Sequence, residues 1–143
     1  MDGFKNILQN NILSYWAENM LDSVNGGFYG RIDGNNILHP KANKGAVLNM
    51  RILWTFSSAY RILQDNDYLI MANRAYEYIK EYFLDNIYGG VYWELDYKGI
   101  PTNRKKQIYA QGFAIYGLSE YYRATRNEEA LTLAKGLFAL IEK

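Results

Sequence analysis

Cysteine is absent from the 143 residues, so neither a disulfide framework nor a thiolate metal site can be built, which suits a reducing compartment. Histidine occurs once, as His39. No pair of imidazoles is therefore available to move protons on the two faces of one substrate. Proline occurs only at Pro40 and Pro101, each ahead of a long apolar segment, where it is tolerated. No apolar run approaches the ~20 residues of a membrane span. The opening Met-Asp-Gly-Phe-Lys-Asn has an early acid and lacks the continuous apolar core of a signal peptide. Charge of one sign is lacking too: 16 basic against 15 acidic side chains leave a net +1, with no field to gather nucleic acid or an anionic membrane. These absences point to a cytoplasmic protein with an uncharged partner, and with neither nucleic acid nor membrane as its target.

What is abundant is aromatic. Fourteen tyrosines and three tryptophans serve cores, interfaces or sugar-binding clefts, because the C–H faces of sugars lie well against rings that carry a polar handle. Composition by itself favours the core. With 49% hydrophobic residues the chain can bury one, and its length fits a single domain over residues 1–143, although it is short for a large ring.

Phe4 to Leu21 places Phe4, Ile7, Leu8, Ile12, Tyr15, Trp16 and Met20 at three- and four-residue spacings, which predicts an amphipathic helix. Asn25-Gly26-Gly27 ends it, and Phe28 to Leu38 reads as a short hairpin turning at Asp33-Gly34. Lys44 to Leu63 is apolar nearly all round and is expected to be buried on most sides, whereas Tyr68 to Phe83 is one-sided again. A second hairpin is expected over Gly89 to Asp96, a second apolar-rich helix over Lys106 to Ala124, and a last one-sided helix over Glu128 to Lys143.

The alternation is an internal repeat of about 62 residues. Gly26-Gly27-Phe28-Tyr29 and Asp33 return as Gly89-Gly90-Val91-Tyr92 and Asp96; Asn49, Ser57 and Tyr60-Arg61 return as Gln111, Ser119 and Tyr122-Arg123. Units of this kind share a core by stacking. Inner helices covered by outer ones suit a double ring better than an open solenoid.

Gly26-Gly27-Phe28-Tyr29-Gly30, Lys44-Gly45 with Asn49-Met50-Arg51-Ile52-Leu53-Trp54-Thr55-Phe56-Ser57, Gly89-Gly90-Val91-Tyr92-Trp93, and Tyr109-Ala110-Gln111-Gly112-Phe113-Ala114 with Leu118-Ser119-Glu120-Tyr121-Tyr122 form one ordered set. Across essentially the whole chain this set resembles the N-acylglucosamine 2-epimerase superfamily, and within it the cellobiose 2-epimerase branch. The resemblance implies an all-α (α/α)6 barrel of twelve helices, of which this chain would supply roughly the first five with two short β-hairpins. It implies a carbohydrate isomerase that inverts C2 of a reducing-end sugar through ring opening and a cis-enediolate. Two histidines from later repeats would move the protons, and neither a metal nor a nicotinamide cofactor would be needed.

Carried over by position, the family's inner-helix arginine is Arg51 and its cleft tyrosine Tyr109; Trp54 and Asn49 join them as expected substrate contacts. Arg51 stands in an apolar helix, so its charge must be paired or face a polar cavity. It could bind a neighbouring carboxylate, or it could stabilise the oxyanion of an enediolate. Tyr109 falls about 6 Å of helix rise from the level of Arg51 on the next inner helix, within reach of a shared cavity, and could equally be a core tyrosine. Trp54 and Trp93 could stack on sugar or pack helix against hairpin. His39, in the loop before Pro40, reads as a solvated loop residue, so these 143 residues are expected to be inactive alone. Two non-catalytic readings stay open: a sugar-binding module, and a helical module that self-associates through an apolar wall at Leu133, Leu137, Phe138 and Leu140.

Overall fold

The computed structural model describes residues 2–143. An N-terminal rod runs through α1 (Asp2–Ile7), a π-helical stretch (Leu8–Leu13) and α2 (Ser14–Asn19). Then come β1 (Lys44–Gly45), α3 (Ala46–Leu63) and α4 (Asn66–Tyr78), the last extended by a π-helical turn (Ile79–Phe83). β2 (Glu94–Leu95), β3 (Pro101–Asn103), α5 (Ile108–Thr125) and α6 (Glu128–Ile141) complete the second unit. The inner helices α3 and α5 pack along each other, α4 covers α3, and α6 covers α5. A Cβ on Gly117 would stand 2.7 Å from the Met50 carbonyl oxygen, so α3 and α5 meet backbone to backbone at a point where only glycine fits.

Each inner helix turns into its outer helix by the same device. Gln64 and Arg126 take left-handed conformations (φ 56° and 60°) that close the C-termini of α3 and α5. Asp65 and Asn127 then cap the outer helices, accepting from the amides of Asp67 and Ala130. The link is too short for anything but an antiparallel pair.

The loops that lead into the inner helices are duplicated in detail. Asp22 Oδ1 accepts from the amides of Val24 and Asn25, and Asp85 Oδ1 from those of Ile87 and Tyr88. One repeat apart, Lys44 Nζ meets Asp22 Oδ2 at 2.8 Å and Lys106 Nζ meets Asp85 Oδ2 at 2.8 Å. Lys44 and Asp22 are completely buried, and Lys44 also donates to the Gly26 carbonyl and lies over the Tyr78 ring. The paired glycines have positive φ, and a Cβ on Gly27 would stand 2.6 Å from the Tyr78 ring.

Three expectations are corrected in detail. The first hairpin is tighter than Phe28 to Leu38: Ile32 bridges Leu38 around a turn at Asp33 to Asn36, and Phe28 pairs back with Leu21. The second divides into a Leu84–Val91 bridge and a β2–β3 hairpin around Asp96 to Gly99, with β1 pairing to β2 across the repeat boundary. In the expected wall on α6, Leu137 is only 4% exposed and Leu133 half-buried, because these two face the shared core; Phe138 (56%) and Leu140 (37%) are the exposed pair. On the N-terminal rod, Phe4, Ile7, Leu8 and Ile12 are exposed as well, while Leu13 and Met20 are buried.

Candidate functional site: a cleft between the inner helices

Helical spacing puts Arg51, Trp54 and Thr55 on one face of α3 and Tyr109, Gly112, Phe113 and Tyr116 on one face of α5. The two faces line an open cleft of about 660 Å³. Arg51 and Phe113 are repeat equivalents, as are Trp54 and Tyr116, so the cleft is the same helical stripe used twice with different side chains.

The aromatic wall is continuous. Tyr109 and Phe113 meet edge to face at 5.0 Å, Phe113 and Tyr116 likewise at 6.1 Å, and Tyr116 stacks on Trp54 at 5.0 Å with 9° between the planes. Arg51 is exposed and has no carboxylate within ion-pair distance among the described residues. It stands on a ridge, for a smaller cavity of about 220 Å³ on its other side is lined by Ile12, Trp16, Leu48, Ile52 and Phe56. The cleft thus offers a guanidinium and three hydroxyls, from Thr55, Tyr109 and Tyr116, against aromatic faces. That combination suits an uncharged polyol with apolar faces, and a guanidinium there can stabilise a developing oxyanion.

Of the expected site residues, Arg51, Trp54 and Tyr109 come together in this cleft. Asn49 does not. It lies two residues from Arg51, about 200° round the helix, and its amide donates to the Gly45 carbonyl at 2.9 Å in a buried position. Its repeat partner Gln111 is likewise internal, bridging the Val91 amide and carbonyl at 2.7 and 2.9 Å and so fixing the first turn of α5 to its loop. Thr55, Gly112, Phe113 and Tyr116 were not anticipated. The repeat spacing that pairs Arg51 with Phe113 and Trp54 with Tyr116 was a signal for Phe113 and Tyr116, and helical spacing from Arg51 and from Tyr109 was one for Thr55 and Gly112. Trp93 packs against the core, with its backbone tied to Ala46 and Asn103.

No histidine, aspartate or glutamate among the described residues lines the cleft. His39 lies in a separate cavity with Arg31, Pro40, Lys41 and Ala42, and its Nε2 is 2.9 Å from Asp33 Oδ2. That contact, with the Ile37 and Asn35 amides, holds the Asp33 carboxyl below its ordinary range. The other shifted carboxylates lie under the loops. The Lys106 ammonium, with the amides of Tyr88 and Ile87, holds Asp85 well below the usual carboxylate range. At Asp22 burial pushes upward, but Lys44 and the Asn25 amide together bring the pKa down. No group of three or more His, Cys, Asp or Glu placed to hold a metal occurs among the described residues, and no helix among them is long and apolar enough to cross a membrane.

Residues 27–143 match the family described as N-acylglucosamine 2-epimerase (GlcNAc 2-epimerase). The chain is 58% identical over 135 residues to a cellobiose 2-epimerase of Bacteroides fragilis, a match covering 94% of this chain and 34% of that one. It is 46% identical over 136 residues to a cellobiose 2-epimerase of Ruminococcus albus, covering 95% and 35%. The cellobiose 2-epimerase structure from Bacillus thermoamylovorans superposes with a TM-score of 0.97 at 47% identity, over 99% of this chain and 36% of that one. The chain therefore spans about a third of the relatives it matches, and its inner and outer helices are those of an (α/α)6 barrel. On this match of family, sequence and fold, the chain belongs to the N-acylglucosamine 2-epimerase family.

Proposed function

We propose that these residues form one wall of the sugar site of a carbohydrate 2-epimerase, acting as part of a longer protein on the reducing-end sugar of cellobiose-like β-1,4 disaccharides. The observation that carries this reading is Arg51, unpaired among the described residues and facing a cleft walled by Tyr109, Phe113, Tyr116 and Trp54. The identity to cellobiose 2-epimerases supports the disaccharide over N-acetylglucosamine or free mannose.

In the ring-opened sugar a base removes the proton from C2, the C–H electrons form the C1–C2 double bond, and the C1 oxygen takes the negative charge. In this reading Arg51 lowers the energy of that oxyanion more than that of the carbonyl, and a difference of this kind accelerates the step. Returning a proton to the opposite face of C2 gives the epimer. The aromatic wall orients the ring while Tyr109 and Thr55 offer hydrogen bonds. The proton transfers need groups outside this cleft wall, so the 143 residues alone are expected to leave cellobiose unchanged.

The test is incubation of the whole protein with cellobiose and analysis of the C2 configuration of the reducing unit. The expected product carries mannose in place of the reducing-end glucose, and Arg51→Ala lowers kcat by about 10²–10³. Turnover confined to N-acetylglucosamine or mannose would move the reading to another member of the family. Sugar binding without turnover by the whole protein would favour the non-catalytic module.

A further inference from the structure

The stripe that forms the cleft does not end with it. One and two turns beyond Trp54 on α3 stand Ser58 and Arg61; beyond Tyr116 on α5 stand Glu120 and Arg123. Neither Ser58 nor Glu120 lines the cleft, and both are buried. Glu120, 3% exposed, is held by Arg61 Nε at 2.7 Å and by Arg123 Nη1 at 2.8 Å. Read from the loop end inward, the two inner helices therefore carry three levels. Arg51 and Phe113 come first, the stacked Trp54 and Tyr116 follow about 5 Å deeper, and an ionic clamp on the buried Glu120 lies below.

We propose that the Trp54–Tyr116 stack is the floor of the cleft and determines specificity: it stops a reducing-end sugar at the level of Arg51, so that longer glycans extend toward the loops. The inference rests on the sugar reading above. Two flat rings, one from each inner helix, stack at 5.0 Å across the cleft between the level of Arg51 and that of Glu120, which does not line it. Without them a sugar settles deeper, its C1–C2 end out of register with Arg51, and misregister of about 1 Å is enough to slow chemistry strongly.

Tyr116 is 45% exposed, so truncating it leaves the buried core in place. In the whole protein, Tyr116→Ala is expected to lower kcat on cellobiose about tenfold or more with KM changed less than about threefold. Tyr116→Phe, which keeps the ring, recovers most of the lost turnover, and Trp54→Ala reproduces the same split of kcat from KM. A rise in KM at unchanged kcat would make Tyr116 an ordinary contact, and unchanged constants in both Ala variants would leave no floor. Either result overturns this proposal and leaves the sugar reading standing. Failure of the unaltered protein to turn over any reducing sugar overturns that reading, and the floor with it.

Discussion

Asp22–Lys44 and Asp85–Lys106 are two copies of one ion pair in different surroundings, and the difference is measurable. Lys44→Met strands a buried carboxylate and is expected to cost about 3–5 kcal/mol in urea denaturation. Lys106→Met should cost less, because Lys106 is partly exposed and water can take over part of its role. The same carboxylates contribute to the acid dependence of stability. The Asp85 pKa lies well below the ordinary value of 3.8 in the folded chain, so the folded state binds fewer protons than the unfolded one in acid. Its contribution is complete above about pH 4 and is lost as pH falls toward the folded pKa; Asp22 and Asp33 act with the same sign. Melting temperature should therefore fall below about pH 4, and Asp85→Asn should flatten that slope, as followed by circular dichroism. At this scale the sequence reveals Arg51, because a charge in an apolar helix demands a cavity or a partner. It conceals the role of Asn49, since a short amide serves a substrate or its own helix equally well in one dimension.

Among the elements, the five rods are legible from their periodicity, and even the contrast between inner and outer helices can be read from how far the apolar surface wraps. The sheet is not. Its strands are two or three residues long, too short to carry a period, and β1 joins β2 across the repeat boundary, so no local signal announces the pairing. The meeting of α3 with α5 is equally hidden, because Gly117 looks like any helical glycine until Met50 is found against it. Gly117→Ala is expected to push the two inner helices apart at a cost of about 1–3 kcal/mol, read as a lower denaturation midpoint. The cleft should widen with it, which sugar affinity in the whole protein would report.

For the whole molecule, the repeat makes the assembly rule clear while leaving unstated what covers its outermost faces. Phe4, Ile7, Leu8 and Ile12 on the N-terminal rod and Phe138 and Leu140 on α6 are exposed, and periodicity identifies an apolar face without supplying its neighbour. Exposed surface of this kind drives association. The 143 residues by themselves are expected to run above monomer mass in light scattering, and Ile12→Glu with Phe138→Glu should return them to the monomer.

In the proposed reaction Arg51 and the aromatic wall serve an enediolate made by removing the C2 proton. The most direct test is to react the whole protein with cellobiose in D2O and examine C2 of the reducing unit by NMR. The epimer is expected to acquire deuterium at C2, and Arg51→Ala to lose epimerisation and exchange together. Epimer formed with its original C2 hydrogen, or exchange unaffected by Arg51→Ala, would contradict this reaction.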